Sequence, residues 1–241
     1  LYRFVYYYIR DMRRWIRGRV TVLASLVTPL AWLVFVGLAL PTRFTENYLE
    51  FLAPGILVMT MLFTTLQGGS SLIFDKILGF LHKFLALPPP REALLLGKIF
   101  FITTRGLLQS TVILLVAAVL GARPPLSSIP LIYFDLALFG IIFSTLAVDM
   151  ALLVSDHDTY AALNSLMGMP LFFTSTALMP RSYMPGWLAF ISTLNPVNYA
   201  VESIRLLFRG GGVDSQGVIV LMVSSVVLVL VSTRLFRRLT V

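Results

Sequence analysis

The sequence predicts an all-α integral membrane fold: six transmembrane helices, an N-terminal interfacial amphipathic helix, a further amphipathic helix in the inner loop between spans 2 and 3, and an outer re-entrant helix pair between spans 5 and 6. Three observations lead there. Of 241 residues, 58% are hydrophobic and only 12% charged, with a mean hydropathy of +0.88, whereas a soluble domain carries about a quarter charged residues. Apolar runs of about 20 residues, the length that crosses ~30 Å of hydrocarbon, consume most of the chain. Lysine and arginine collect beside alternate ends of those runs. No polar block is left for a second core, so residues 1–241 read as a single membrane domain.

Residues 1–19 do not span. On a helical wheel Arg3, Arg10, Arg13, Arg14 and Arg17 share one face, and Leu1, Val5, Tyr8, Ile9, Met12 and Ile16 form the other, which suits a helix lying flat at the cytoplasmic surface. Spans follow at about 20–40, 51–74, 99–121, 129–154 and 217–236. The first is too long for a signal-peptide core and is not followed by a small-residue cleavage site, so it is expected to remain as a helix. A further run, 160–180, is as long but carries Asn164, Ser165, Thr174, Ser175 and Thr176, polar residues that face other helices or a cavity when they occur in a span.

Residues 184–208 decide the count. They are interrupted by Asn195 and Pro196 and then carry Glu202 and Arg205. If this stretch crossed, the arginines of 234–238 would lie opposite those of 1–19. With six spans, the basic residues of 1–19, 76–98 and 234–238 share the inner side and outnumber Arg43, Arg123, Arg181, Arg205 and Arg209 outside. The stretch 184–208 then dips into the outer leaflet and returns. Asn195 and Pro196 form the break, because proline lacks the N–H donor and disfavours helix at the residue before it.

The net charge of +8 sits beside apolar spans, which points to anionic headgroups and membrane orientation and away from nucleic acid. Cysteine is absent, and the two histidines, His82 and His157, are far apart, so no zinc site is expected. No GxxxxGK[ST] loop occurs, so nucleotide phosphates are not cradled here in that manner. Asp156, His157 and Asp158 read as a polar turn in which Asp158 caps the next helix. The alternative is a divalent-metal site, as in an intramembrane metal-dependent transferase. Arg105 and Asp149 each lie ~10 Å from the inner boundary and are expected to form an intramembrane ion pair. Asp135 is expected to meet Arg205 or Arg209. Trp15, Tyr48, Tyr133, Tyr160 and Trp187, near span ends, read as interfacial anchors.

In the inner loop, Asp75–Leu87 has helical spacing of Ile77, Leu78, Leu81, Phe84 and Leu85, and Pro88, Pro89 and Pro90 stop it. Such a helix can dock on a soluble partner or rest on lipid. The run YLEFLAPGILVMTMLF (48–63), then Asp75 and Gly79, then ALPPPREALLLGK (86–98), resembles the second span and coupling loop of ABC-2 type permeases. The likeness is nearest the daunorubicin-resistance exporter branch, related to nodulation-factor and polysaccharide export permeases. MPGWLAFISTLNPVNYAVESIR (184–205) is similar to the outer re-entrant segment of that family.

The resemblance implies a transmembrane permease subunit, not catalytic by itself, of an ATP-binding-cassette exporter in the cytoplasmic (inner) membrane, with both termini cytoplasmic. It implies a homodimer, or a pair of similar permeases, bound to two cytoplasmic ATPase subunits that carry the ATP and Mg. An amphipathic drug-like or lipid substrate would move by alternating access; a lipid-linked polysaccharide is the alternative. Residues 1–19 would be the elbow helix, and 75–92 the coupling loop. Contact with the ATPase would fall to Asp75, Lys76, Gly79, Phe80, His82 and Lys83. The family's acid-basic-acid cluster is reduced here to Asp75 and Lys76 among Ile77, Leu78 and Phe80, which implies a more apolar contact. For the substrate path the candidates are Thr60, Thr64 and Gln67 of the second span and Asn164, Met167, Phe172 and Phe173 of the fifth, with interhelical packing as their other reading.

Overall fold

The computed structural model describes residues 2–37, 48–80 and 92–239, and among them the regular structure is helical throughout. Among the described residues five stretches are long and apolar enough to cross a membrane: Arg19–Val36, Tyr48–Ile77, Glu92–Leu120, Leu126–Leu153 and Ser215–Arg238. The elements, in order, are α1 (Tyr2–Arg17), α2 (Arg19–Ala31, continued by a wide π turn over Trp32–Val36), α3 (Tyr48–Gly68), α4 (Ser70–Ile77) and α5 (Glu92–Leu120). They continue as α6 (Ile129–Leu153), α7 (His157–Phe173), α8 (Gly186–Leu194), α9 (Pro196–Phe208) and α10 (Ser215–Leu239).

Helix α3 is the axis of the fold. It is apolar on every side and almost wholly buried, as a helix hydrophobic all round must be when neighbours surround it. Helices α5, α6, α9, α7 and α2 pack around it. Met61 of α3 fills the gap between Gly106 of α5 and Gly140 of α6, where any Cβ would overlap its thioether, so small residues set how closely the three backbones approach. The windows of α2 and α10 that qualify as spans are only 17% buried, which makes these two helices peripheral. In α2, Pro29 removes a backbone donor, and the π turn follows directly after it.

One end of the bundle is formed by α1, the end of α4, the start of α5, the end of α6, the start of α7 and the end of α10. Arg237 of α10 pairs there with Glu92 of α5 at 2.5 Å, and a second apolar cluster, including Tyr7, Ile73, Leu95, Tyr160 and Phe236, closes it. At the opposite end, α9 lies across the starts of α3, α6 and α10. The α8–α9 pair breaks at Asn195: its Oδ1 accepts from Val197 N at 2.9 Å, and Pro196 occupies the first turn, where its missing N–H leaves no bond unmade.

Helix α1 is amphipathic, as expected, and Tyr7 and Asp11, which lie between its two faces, turn inward against α5. Three sequence expectations are corrected here. The inner-loop helix predicted over Asp75–Leu87 does not run continuously from Asp75. Helix α4 stops at Ile77, and Gly79 adopts φ +70°, the left-handed conformation in which a helix ends. Residues 81–87 of that predicted helix lie outside the described residues. The run 160–180 is helical only to Phe173, beyond which Ser175 and Thr176 hydrogen-bond locally and to α9. Finally, Tyr160 is no interfacial anchor: it is fully buried and donates its hydroxyl to Leu66 O.

Candidate functional site

Two neighbouring regions concentrate the polar chemistry. The first is an ion-pair hub joining α1, α4 and α5. Asp75, at the end of α4, has Oδ2 2.7 Å from Arg10 Nη2 and 2.7 Å from Lys98 Nζ. Asp11 receives the same two cations, Arg10 at 2.7 Å and Lys98 at 2.8 Å. Lys98, Asp75 and Asp11 are 1%, 2% and 3% exposed and Arg10 is half-buried, so the two carboxylates are neutralised by one fully buried cation and one that reaches the surface. Burial alone would lower the Arg10 guanidinium; the carboxylates of Asp11 and Asp75 outweigh it and raise the group above its ordinary value.

Of the residues expected to contact an ATPase, Asp75 is buried and Lys76 is half-buried. Asp75 points into the protein, and Lys76 Nζ donates to the carbonyls of Leu152 and Val154 at 2.9 and 2.8 Å, closing the end of α6. A cation there meets carbonyls left without helical partners. What α4 presents outward is apolar: Phe74, Ile77, Leu78 and Phe80 are exposed around Gly79, which meets no neighbour among the described residues beside its Cα. His82 and Lys83 lie outside the described residues.

The second region is a groove between α2 and α7, floored by α3 and α5. Its deeper chamber has a volume of ≈ 540 Å³, and the chamber nearer the hub ≈ 630 Å³; Thr21, Gln67 and Arg105 line both. Of the residues expected along a substrate path, Thr60, Thr64, Gln67, Phe172 and Phe173 line the deeper chamber, and Gln67 and Asn164 the other. Met167 does not join them; it packs on the core, and Met169 lines the groove instead. Behind this wall Thr64 donates to Gln109 Oε1, and Gln109 Nε2 donates to Ser25 Oγ at 2.6 Å, tying α3, α5 and α2 together.

Arg105 and Asp149 do not pair. Arg105 faces the groove, its Cζ 5.9 Å from the centre of the Trp15 ring. Asp149 faces α10 and accepts from Ser232 Oγ at 2.5 Å. The reason is azimuth. Helices α5 and α6 meet where Thr103 Oγ1 and Ser144 Oγ stand 2.8 Å apart. At 3.6 residues per turn, Arg105 lies ~200° round from Thr103 and Asp149 ~140° round from Ser144, so both leave the seam. Equal depth was necessary for the pair and insufficient.

At the opposite end Asp135 accepts from Ser203 Oγ at 2.5 Å, not from an arginine. Arg205 instead donates to Thr176 O and Glu202 Oε1, both at 2.8 Å, and lies 3.8 Å over the Phe51 ring. Asn195 Nδ2 donates to Leu171 O at 2.6 Å, so the break between α8 and α9 also anchors the end of α7. In the Asp156–Asp158 turn the cap is Asp156, two residues earlier than expected. Its backbone is extended, φ −130° and ψ 163°, and its carboxylate accepts from Thr159 N at 2.7 Å, whereas Asp158 already lies in the first helical turn. Those hydrogen bonds hold the Asp156 carboxyl below its ordinary range. His157 stacks on Phe74 with ring centres 5.1 Å apart. Among the described residues no three His, Asp or Glu side chains converge as a metal-ligand set.

Asp11 and Trp15 were not singled out as site residues by sequence reasoning, although one signal existed: Asp11 is the sole acid among the basic residues of 1–19. The sequence signature of the ABC-2 type transporter family spans residues 2–208. The chain is 37% identical to the transport permease ycf38 of Cyanophora paradoxa, over 80% of this chain and 69% of that protein. It is 30% identical to nodulation protein J of Bradyrhizobium diazoefficiens, over 94% and 90% respectively. It is 27% identical to the daunorubicin resistance ABC transporter permease protein DrrB1 of Streptomyces coeruleorubidus, over 69% and 59%.

Proposed function

This chain belongs to the ABC-2 type transporter family, and from that premise we propose that it is the permease subunit of an exporter powered by separate ATPase subunits, which bind the ATP and Mg. Two permease copies form the transport unit, each with six crossings, in the cytoplasmic membrane, with both termini inside. The sixth crossing is α7. Its 17 residues rise ~26 Å, and its flanking contacts, His157 on Phe74 and Thr176 with Asn198, belong to opposite ends of the bundle. The basic residues of α1 and of Arg234, Arg237 and Arg238 favour the α1 end as the cytoplasmic one.

The observation that carries the reading is the groove between α2 and α7, lined with aromatic, methionine and threonine side chains and joined to the hub end by shared residues. Its Trp32, Phe63, Phe172 and Phe173 suit an amphipathic drug-like or lipid substrate. The ATPase docks on the apolar rim of Phe74, Ile77, Leu78 and Phe80. The hub passes its movement on, because Asp75 ties the end of α4 to α1 and α5.

Affinity purification of the tagged permease from its native membrane tests this. A P-loop ATPase is expected to co-purify, and Ile77→Asp with Leu78→Asp to cut its recovery about tenfold, since two charges placed in an apolar contact are desolvated without partners. Recovery of no ATPase from wild type, or undiminished recovery with the double variant, contradicts the proposal.

A further inference from the structure

Resting on the reading of the α2–α7 groove as the transport path, we infer that Arg105 makes this groove a site for amphiphiles with an anionic headgroup, phosphate or carboxylate in class. Arg105 stands on α5 seven residues beyond Lys98, ~10 Å deeper along the helix axis. A charge at that depth is costly unless compensated. Lys98 is compensated by Asp11 and Asp75. Arg105 has no carboxylate partner among the described residues, and its Nε is buried without a hydrogen bond. The Trp15 ring at 5.9 Å is a weak substitute for a counter-ion.

The other charges at the chamber do not supply one. Asp11 lines it, but its carboxylate is neutralised from within the hub: Oδ1 accepts from Arg10, and Lys98 Nζ lies 2.8 Å from Oδ2 as an ion pair without a hydrogen bond. Arg14, which adds positive charge, is 3.9 Å from Asp75. Besides Asp11 Oδ2, two more polar atoms on the same wall make no hydrogen bond, the donor Trp15 Nε1 and the acceptor Asn164 Oδ1. A cation and an N–H on one wall match an anionic oxygen, and the amide oxygen suits a neighbouring hydroxyl. Beyond Arg105 the groove continues into the deeper chamber past Met59, Phe63, Phe172 and Phe173, where an apolar tail would lie. Both chambers fall within the size range of ligand pockets.

The test is binding to the purified full-length chain in nonionic detergent, followed by native mass spectrometry, with dodecyl phosphate and zwitterionic dodecylphosphocholine as probes. Wild type is expected to bind the phosphate about tenfold more tightly than the phosphocholine. Arg105→Gln should abolish that preference, Arg105→Lys should keep most of it, and Trp15→Phe, which retains the ring and removes the N–H, should reduce it. Displacement of dodecyl phosphate by phosphatidylglycerol would identify a membrane lipid as the occupant; exclusion of phosphatidylglycerol would identify a smaller anionic cargo, and either leaves the anion site standing. Equal binding of the two headgroups by wild type, or a preference unchanged in Arg105→Gln, overturns it. If Arg105→Gln does not fold, the wild-type headgroup comparison and Arg105→Lys still decide. No ATPase is present in this assay, so its failure is separate from failure of the exporter reading, which co-purification reports.

Discussion

The hub and the groove are neighbours, and each holds charge away from bulk water, yet they do so in opposite ways. In the hub each carboxylate, Asp11 and Asp75, meets both Arg10 and Lys98, with Arg14 3.9 Å from Asp75 at its edge, so every acid has its cations. In the groove Arg105 stands with an aromatic face and, among the described residues, no carboxylate paired with it, since Asp11 of the same chamber is taken up by Arg10 and Lys98. A closed set fixes three elements together and leaves nothing for a ligand; an open charge leaves an interaction to be completed from outside. Burial of a charge is thus not itself a sign of function, and its pairing separates the two cases.

The largest expected effect comes from opening the hub. Lys98→Met removes the one fully buried cation and leaves Asp11 and Asp75 with Arg10 and the more distant, exposed Arg14, and the loss should be about 3–5 kcal/mol, read from thermal or denaturant unfolding in detergent. Adding Asp11→Asn restores charge balance between Arg10 and Asp75. The double variant should recover at least half of the loss, the non-additivity expected of groups in one network. A single variant with wild-type stability would erase the contrast between the two regions.

The groove should respond with the opposite sign. Arg105→Met removes a desolvated cation that has no carboxylate to leave behind, and unfolding stability should stay level or rise by about 1 kcal/mol. Asp149→Ala, which removes the acceptor, should cost about 0.5–1.5 kcal/mol through its hydrogen bond to Ser232. In a double-mutant cycle the Arg105–Asp149 coupling should be near zero, against a large coupling for Asp11 with Lys98. Appreciable coupling between Arg105 and Asp149 would restore the ion pair that the geometry denies.

That pair shows where sequence reading stops. Apolar runs placed α2, α3, α5, α6 and α10 because a crossing needs a stretch of fixed length, and length is a one-dimensional property. The break at Asn195 and Pro196 was legible for the same kind of reason, a local donor missing from a local turn. Depth can also be counted along a helix, which is why Arg105 and Asp149 were matched. Which way a residue faces depends on where neighbouring helices touch, and the seam through Thr103 and Ser144 carries no mark in the sequence. The inward turn of Asp75 is the same problem: spacing alone did not show that Arg10 of α1, 65 positions away, would lie beside it. Gly79 misled differently, since a glycine within a helical pattern is tolerated in many helices and here takes positive φ.

The smallest expected effect lies outside both regions, at a charge that has hydrogen bonds but no ion pair among the described residues. Asp156 is exposed, and its carboxylate caps α7 through Thr159 N. Because those bonds hold its folded pKa below the ordinary carboxylate value, the cap is fully present above that value and is lost as pH falls through the lower, folded one. Amide exchange at Thr159, compared with a mid-helix α7 amide such as Leu166 as internal reference, measures the effect. Asp156→Ala should speed exchange at Thr159 at neutral pH, and Asp156→Asn, which still accepts, should leave it nearly unchanged. After correction for the intrinsic pH dependence of exchange, Asp156→Asn should also remove the acid-side loss of protection, because an amide side chain does not titrate. If the loss persists in Asp156→Asn, the start of α7 is governed by another titrating group, and the cap belongs with the closed charges of the hub and not with a local turn.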